Sequence, residues 1–65
     1  MMISVIIPTL DESSTIARTL TRTVALGFDE IIVSDGGSTD PTIPMIQACC
    51  ARIPAVRLVT APAGR

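Results

Sequence analysis

The chain has 65 residues, and its five arginines and six carboxylates leave a net charge of −1 with no histidine and no lysine. A length below the roughly 100–200 residues of a typical domain confines it to one small domain or part of one, and a composition that is 48% hydrophobic and 17% charged excludes a disordered tail. The arginines are scattered and Phe28 is the sole aromatic, so neither the basic stripe and stacking platform of a nucleic-acid binder nor a polybasic membrane anchor is present.

The run Ile3-Ser4-Val5-Ile6-Ile7 is β-branched and apolar on both alternating faces, and Pro8 closes it. This pattern predicts a short strand buried on both sides of a parallel sheet. The run is shorter than the roughly 7–15 apolar residues of a secretory leader. It is far below the roughly 20 needed to span a bilayer. No transmembrane segment is expected, and the cytoplasm is the expected compartment.

Asp11, Glu12, Ser13 and Ser14 are residues of helix-capping type. Ile16, Leu20 and Val24 then recur at every fourth position, and Gly27 follows as a stop. A helix of about three to four turns is predicted there. Ile31-Ile32-Val33 is the second strand, introduced by Asp29-Glu30.

Ser34-Asp35-Gly36-Gly37-Ser38-Thr39-Asp40-Pro41 is a dense turn signal. Asp40 before Pro41 reads as an N-cap followed by the first helical position. A second helix is predicted from about Pro41 to Arg52, with Ile43, Ile46 and Cys50 or Cys49 inward. Pro44 should disturb or shift its start, because beyond the first turn proline removes a backbone hydrogen bond. Adjacent Cys49 and Cys50 lack zinc-ligand or redox spacing and read as core residues in a reduced compartment. Pro54 ends the helix, and Val56-Arg57-Leu58-Val59-Thr60 is the third strand.

The resulting fold class is α/β, a βαβαβ unit with three parallel strands joined by right-handed crossovers. If each new strand adds on the same side, the expected strand order is 3-2-1 and both helices share one sheet face. Strands that are apolar on both faces then lack cover on the other. A core this small rarely supplies more than roughly 3–5 kcal/mol. Self-association, a partner, or a missing C-terminal half is the expected remedy.

In open parallel sheets, ligands bind beyond the carboxyl ends of the strands. Three segments sit there: residues 8–12, residues 34–40 and residues 61–65. Asp35 could accept hydrogen bonds from a base or ribose, with Gly36 and Gly37 permitting positive φ and close approach. The same loop also reads as a strand-to-helix turn whose glycines serve geometry alone. Glu12 is favoured near a helix start whatever its role. No G-x-G-x-x-G or P-loop is present, and a chain without histidine has no Ser-His or Cys-His pair. No D-x-D occurs either.

Ile3 to Glu12 and Ile31 to Asp40, about twenty residues apart, together resemble the start of glycosyltransferase family 2. That family has the GT-A fold, opens S-V-I-I-P-T-x-N-E, and commonly ends its second strand V-D-D-G-S-T-D. The closing Ala-Pro-Ala-Gly-Arg also resembles the loop after the third strand in a subgroup carrying D-G-G-S-T-D. The resemblance spans essentially the whole chain. It implies that residues 1–65 are the N-terminal half of a Rossmann-like domain binding a nucleotide-sugar, UDP-linked or similar. Pro8 and Thr9 would line the nucleotide pocket, Glu12 would reach toward the nucleotide, and Asp35 would bond the base. Gly37 and Ser38 would shape the loop, and Arg65 would lie near the diphosphate.

Asp11 stands where the family has Asn, and Gly36 replaces its second acid. The family's metal-binding D-x-D and catalytic base correspond to positions beyond residue 65. No catalytic residue and no metal ligand is therefore assigned. A divalent cation, Mg²⁺ or Mn²⁺, is expected only in the intact enzyme, and the chain alone is expected to transfer no sugar. The alternative is a non-catalytic α/β module that oligomerises through its uncovered sheet face. A sugar nucleotidyltransferase start fits less well, because those enzymes carry a glycine-rich loop after the first strand, where this chain has Thr9-Leu10-Asp11.

Overall fold

The computed structural model describes residues 2–60. Its elements are β1 (Ser4–Thr9), α1 (Ile16–Ala25), β2 (Glu30–Asp35), α2 (Thr42–Arg52) and β3 (Val56–Thr60). All three strands are parallel, with β2 between β1 and β3. Counted from the β1 edge the order is 1-2-3, not the 3-2-1 expected from sequence. Both orders place β2 between β1 and β3 and differ in the edge from which the strands are counted.

The pairing aligns Val5 with Ile31 and Val56, and Ile7 with Val33 and Leu58. These side chains share one face by the two-residue alternation of strands. Ile16 and Leu20 of α1 and Ile46 and Cys49 of α2 join them in a single core, so both helices cover this face. The other face carries Ile6, Pro8, Ile32 and Val59, with Ile6 66% and Val59 50% exposed. Arg57 and Glu30 also lie there, paired at 3.2 Å.

Pro8 does not close β1 but sits inside it. The carbonyls of Ile3 and Thr9 accept bonds from Asp29 N–H and Gly36 N–H on the β2 side. Strand alternation therefore turns the Pro8 nitrogen, which has no proton to donate, toward the open edge. Proline costs β1 no ladder bond at that position.

The expected capping cluster does not cap α1. Thr15 occupies the N-cap without a side-chain capping bond. The first turn is instead held by the Glu12 carbonyl, which accepts from Thr15 and Ile16 N–H. Gly27 ends the helix as anticipated: its φ is +81°, and its N–H donates to the Val24 carbonyl at 3.1 Å.

Helix α2 starts at Thr42, and Pro44 lies in its first turn. An N–H there has no intrahelical partner, so proline is accommodated rather than disruptive. The inward residues are Thr42, Ile46 and Cys49, whereas Ile43 and Cys50 are half-buried. Both cysteines are free. Burial, helped by the neighbouring Cys49, pushes the Cys50 thiol up, which suits packing rather than thiolate chemistry.

Candidate functional site

The last register pair of β1 and β2 is Thr9 opposite Asp35. Both follow the inward alternation of the core, since Thr9 continues Val5 and Ile7 and Asp35 continues Ile31 and Val33. The side chains are consequently buried at the carboxyl end of the sheet, Thr9 being 4% and Asp35 0% exposed. They meet directly, the Thr9 hydroxyl donating to Asp35 Oδ1 at 2.8 Å.

Asp35 collects three further donors. The Ser38 hydroxyl bonds Oδ1 at 2.6 Å, and the N–H groups of Gly37 and Ser38 bond Oδ2 at 3.0 and 2.8 Å. A carboxylate offers about four lone-pair sites, and all are engaged. Burial alone would raise its pKa. The Ser38 hydroxyl and N–H, the Thr9 hydroxyl and the Gly37 N–H outweigh it and hold the group at about 2. Asp35 is thus an ionised carboxylate that folds its own loop. A ligand donor reaches it only by displacing one of these partners.

Gly37 makes this wrap possible with φ of +104°. Gly36, expected to share that role, has no positive φ. A β-carbon there would meet the Thr9 carbonyl at an ordinary 3.7 Å.

A second set of bonds stitches the loop after β1 to the loop after β2. The Asp11 carboxylate accepts from Thr39 N–H at 2.8 Å and Asp40 N–H at 3.3 Å, and Asp11 N–H donates to Ser38 Oγ at 2.8 Å. Glu12 N–H donates to Thr42 Oγ1 at 2.8 Å, and Ser13 N–H to Asp40 Oδ2 at 3.1 Å. Pro41, not Asp40 as the sequence predicts, is the N-cap of α2, because the helix starts one residue later, at Thr42; Asp40 precedes it, accepting from Thr42 N–H at 2.9 Å and also accepting the Thr42 hydroxyl. These Thr42 and Ser13 bonds, led by the Thr42 hydroxyl and opposed by partial burial, hold its carboxyl at about 2.

The structure therefore brings together Thr9, Asp35, Gly37 and Ser38, with Glu12 attached through its backbone. Pro8 is not brought in. Its side chain is exposed and, one residue from Thr9 along the strand, lies on the opposite face of the sheet. Arg65 lies outside the described residues. Asp11 and Asp40 organise the site more than the sequence suggested, and the buried Thr42 was not anticipated at all. The Asp-Pro-Thr order after a glycine pair was the available signal.

Among the described residues, no group of three or more His, Cys, Asp or Glu is arranged to hold a metal ion. A cleft of about 230 Å³ runs between the helices, lined by Leu20, Met45, Cys49, Arg52 and Ile53 among others. It contains none of the strand-end residues. No described helix is long and apolar enough to cross a membrane.

The sequence profile of the family described as Glycosyl transferase family 2 matches residues 4–65. No curated protein and no solved structure matches the chain.

Proposed function

Since the chain belongs to glycosyl transferase family 2, we propose that it binds the nucleotide of a nucleotide-diphospho-sugar donor at the carboxyl end of its sheet. On this reading residues 1–65 are the N-terminal, nucleotide-holding half of a GT-A domain. The observation that carries it is the Thr9–Asp35 pair, which ends two adjacent parallel strands beside a glycine loop. That is where open α/β sheets take their ligands.

Thr9, Gly37 and Ser38 frame the proposed pocket. Asp35 takes the base or ribose once a donor on the ligand replaces the Ser38 or Thr9 hydroxyl. Glu12 flanks the nucleotide, and Arg65 serves the diphosphate. Sugar transfer to an acceptor hydroxyl belongs to an intact enzyme with its own D-x-D, divalent cation and base. The two free cysteines suit the cytoplasm.

The test is a titration of the chain with UDP and with other nucleoside diphosphates, followed by amide chemical shifts. Saturable perturbation of Gly36, Gly37 and Ser38 is expected. Absence of any perturbation up to millimolar nucleotide would overturn the reading.

A second reading is an interaction module that pairs through its bare sheet face, favoured by the exposure of Ile6 and Val59. Light scattering across a concentration series separates the two. Stable dimers that ignore nucleotides support the module.

A further inference from the structure

Asp11 is the single non-glycine residue with positive φ among those described, at +50°. Asp and Asn tolerate this left-handed backbone better than other side chains. The turn aims its N–H and its carboxylate at the same neighbour, the loop after β2. The N–H donates to Ser38 Oγ at 2.8 Å. With its oxygen so occupied, the Ser38 hydroxyl directs its own proton to Asp35 Oδ1 at 2.6 Å. The carboxylate accepts the next two N–H groups, Thr39 at 2.8 Å and Asp40 at 3.3 Å. Three consecutive residues of one loop are held by one residue of the other.

We infer that Asp11 is a positioning residue: it locks the Ser38 hydroxyl onto Asp35 and thereby sets how readily that buried carboxylate is released to a ligand's donor group. The part concerning ligand rests on the nucleotide-binding reading above. The part concerning Asp35 stands on the ligand-free structure. Hydrogen bonds in series polarise one another, and the Asp11–Ser38–Asp35 relay, exposed at Asp11 and partly buried at Asp35, makes the state of Asp35 depend on a residue that does not touch it. Asn at position 11 keeps the turn and an acceptor oxygen. Gly keeps the turn and the N–H bond to Ser38 Oγ but loses the carboxylate that holds the N–H groups of Thr39 and Asp40, and with it the placement of Ser38 beside Asp35.

The experiment compares wild type, Asp11→Asn and Asp11→Gly as full 65-residue chains, reading the Asp35 carboxyl titration by NMR and UDP affinity by calorimetry. For Asp11→Gly the Asp35 midpoint is expected to rise and the UDP dissociation constant to change by about tenfold, the size of one charge-assisted hydrogen bond. Asp11→Asn is expected to restore both to wild-type values, which general loosening of the fold would not do. A glycine variant with wild-type midpoint and affinity overturns the inference, as does an asparagine variant that behaves like glycine.

If Asp11→Gly loses its core methyl signals, Ser38→Ala takes its place. It removes the middle hydroxyl and leaves the Asp11 carboxylate bonds intact. The same rise in the Asp35 midpoint is then required, and its absence overturns the inference. Failure of wild type to bind UDP sinks the nucleotide reading alone, because the ligand-free midpoint still decides whether Asp11 governs Asp35.

Discussion

Thr9 and Asp35, 26 residues apart in sequence, are joined by a 2.8 Å hydrogen bond at the terminal rung of two parallel strands. Thr9→Val keeps the side-chain shape and removes the donor. It leaves a buried carboxylate with one bond fewer and should destabilise the chain by about 1–3 kcal/mol in urea unfolding. On the proposed nucleotide-binding reading, Asp35→Asn should abolish the shifts that nucleotide is expected to induce at Gly37 and Ser38. Its amide carries donors where the loop already supplies donors.

Acid should unfold the chain in a defined window. Asp35 and Asp40 stay ionised in the fold down to about pH 2, whereas in the unfolded chain such groups protonate near 3.8. Between those values the unfolded state binds more protons, so stability falls as pH drops and is fully present above it. Circular dichroism against pH should show loss of structure beginning below about pH 4. Asp40→Asn should flatten that dependence.

The core leaves little margin. Ile46 is fully buried where α2 meets the sheet. Ile46→Ala should cost about 2–5 kcal/mol, comparable to the roughly 3–5 kcal/mol a core of this size supplies. The expected outcome is a chain without a cooperative thermal transition, seen by calorimetry. Retention of the wild-type melting temperature would contradict this packing.

The two adjacent glycines should respond differently. Gly37→Ala forces a β-carbon onto a φ of +104° and should cost about 1–2 kcal/mol, loosening the loop around Asp35. Gly36→Ala meets only van der Waals contact and should stay within about 0.5 kcal/mol of wild type. Paired denaturation curves check both values.

The strands and their parallel arrangement were legible because alternation and turn residues are local signals. The third strand falls on Val56–Thr60 as read. Pro8 was misread because its place inside a strand depends on which edge faces a neighbour, and that is a tertiary property. The capping cluster misled for a similar reason. Asp11 is a competent cap, but its carboxylate is taken by the N–H groups of the loop after β2. Thr9 and Asp35 were identifiable as strand-end residues. Their mutual bond, and the saturation of Asp35 by Gly37 and Ser38, emerge only once two distant segments are side by side. Thr42 was unreadable as a buried hydroxyl, since Asp40 and Glu12 must both approach before it is satisfied.

The rung that seats Thr9 beside Asp35 belongs to the same in-and-out count that seats Val5, Ile7, Ile31 and Val33 in the interior. Slipping either strand by a single step would turn its oily residues to water and swing its polar tip to the far side at once. The hydrophobic filling therefore acts as a ruler for the chemistry at the end of the sheet. One residue inserted or deleted within β1 or β2 would therefore erase the core and the strand-end cluster together.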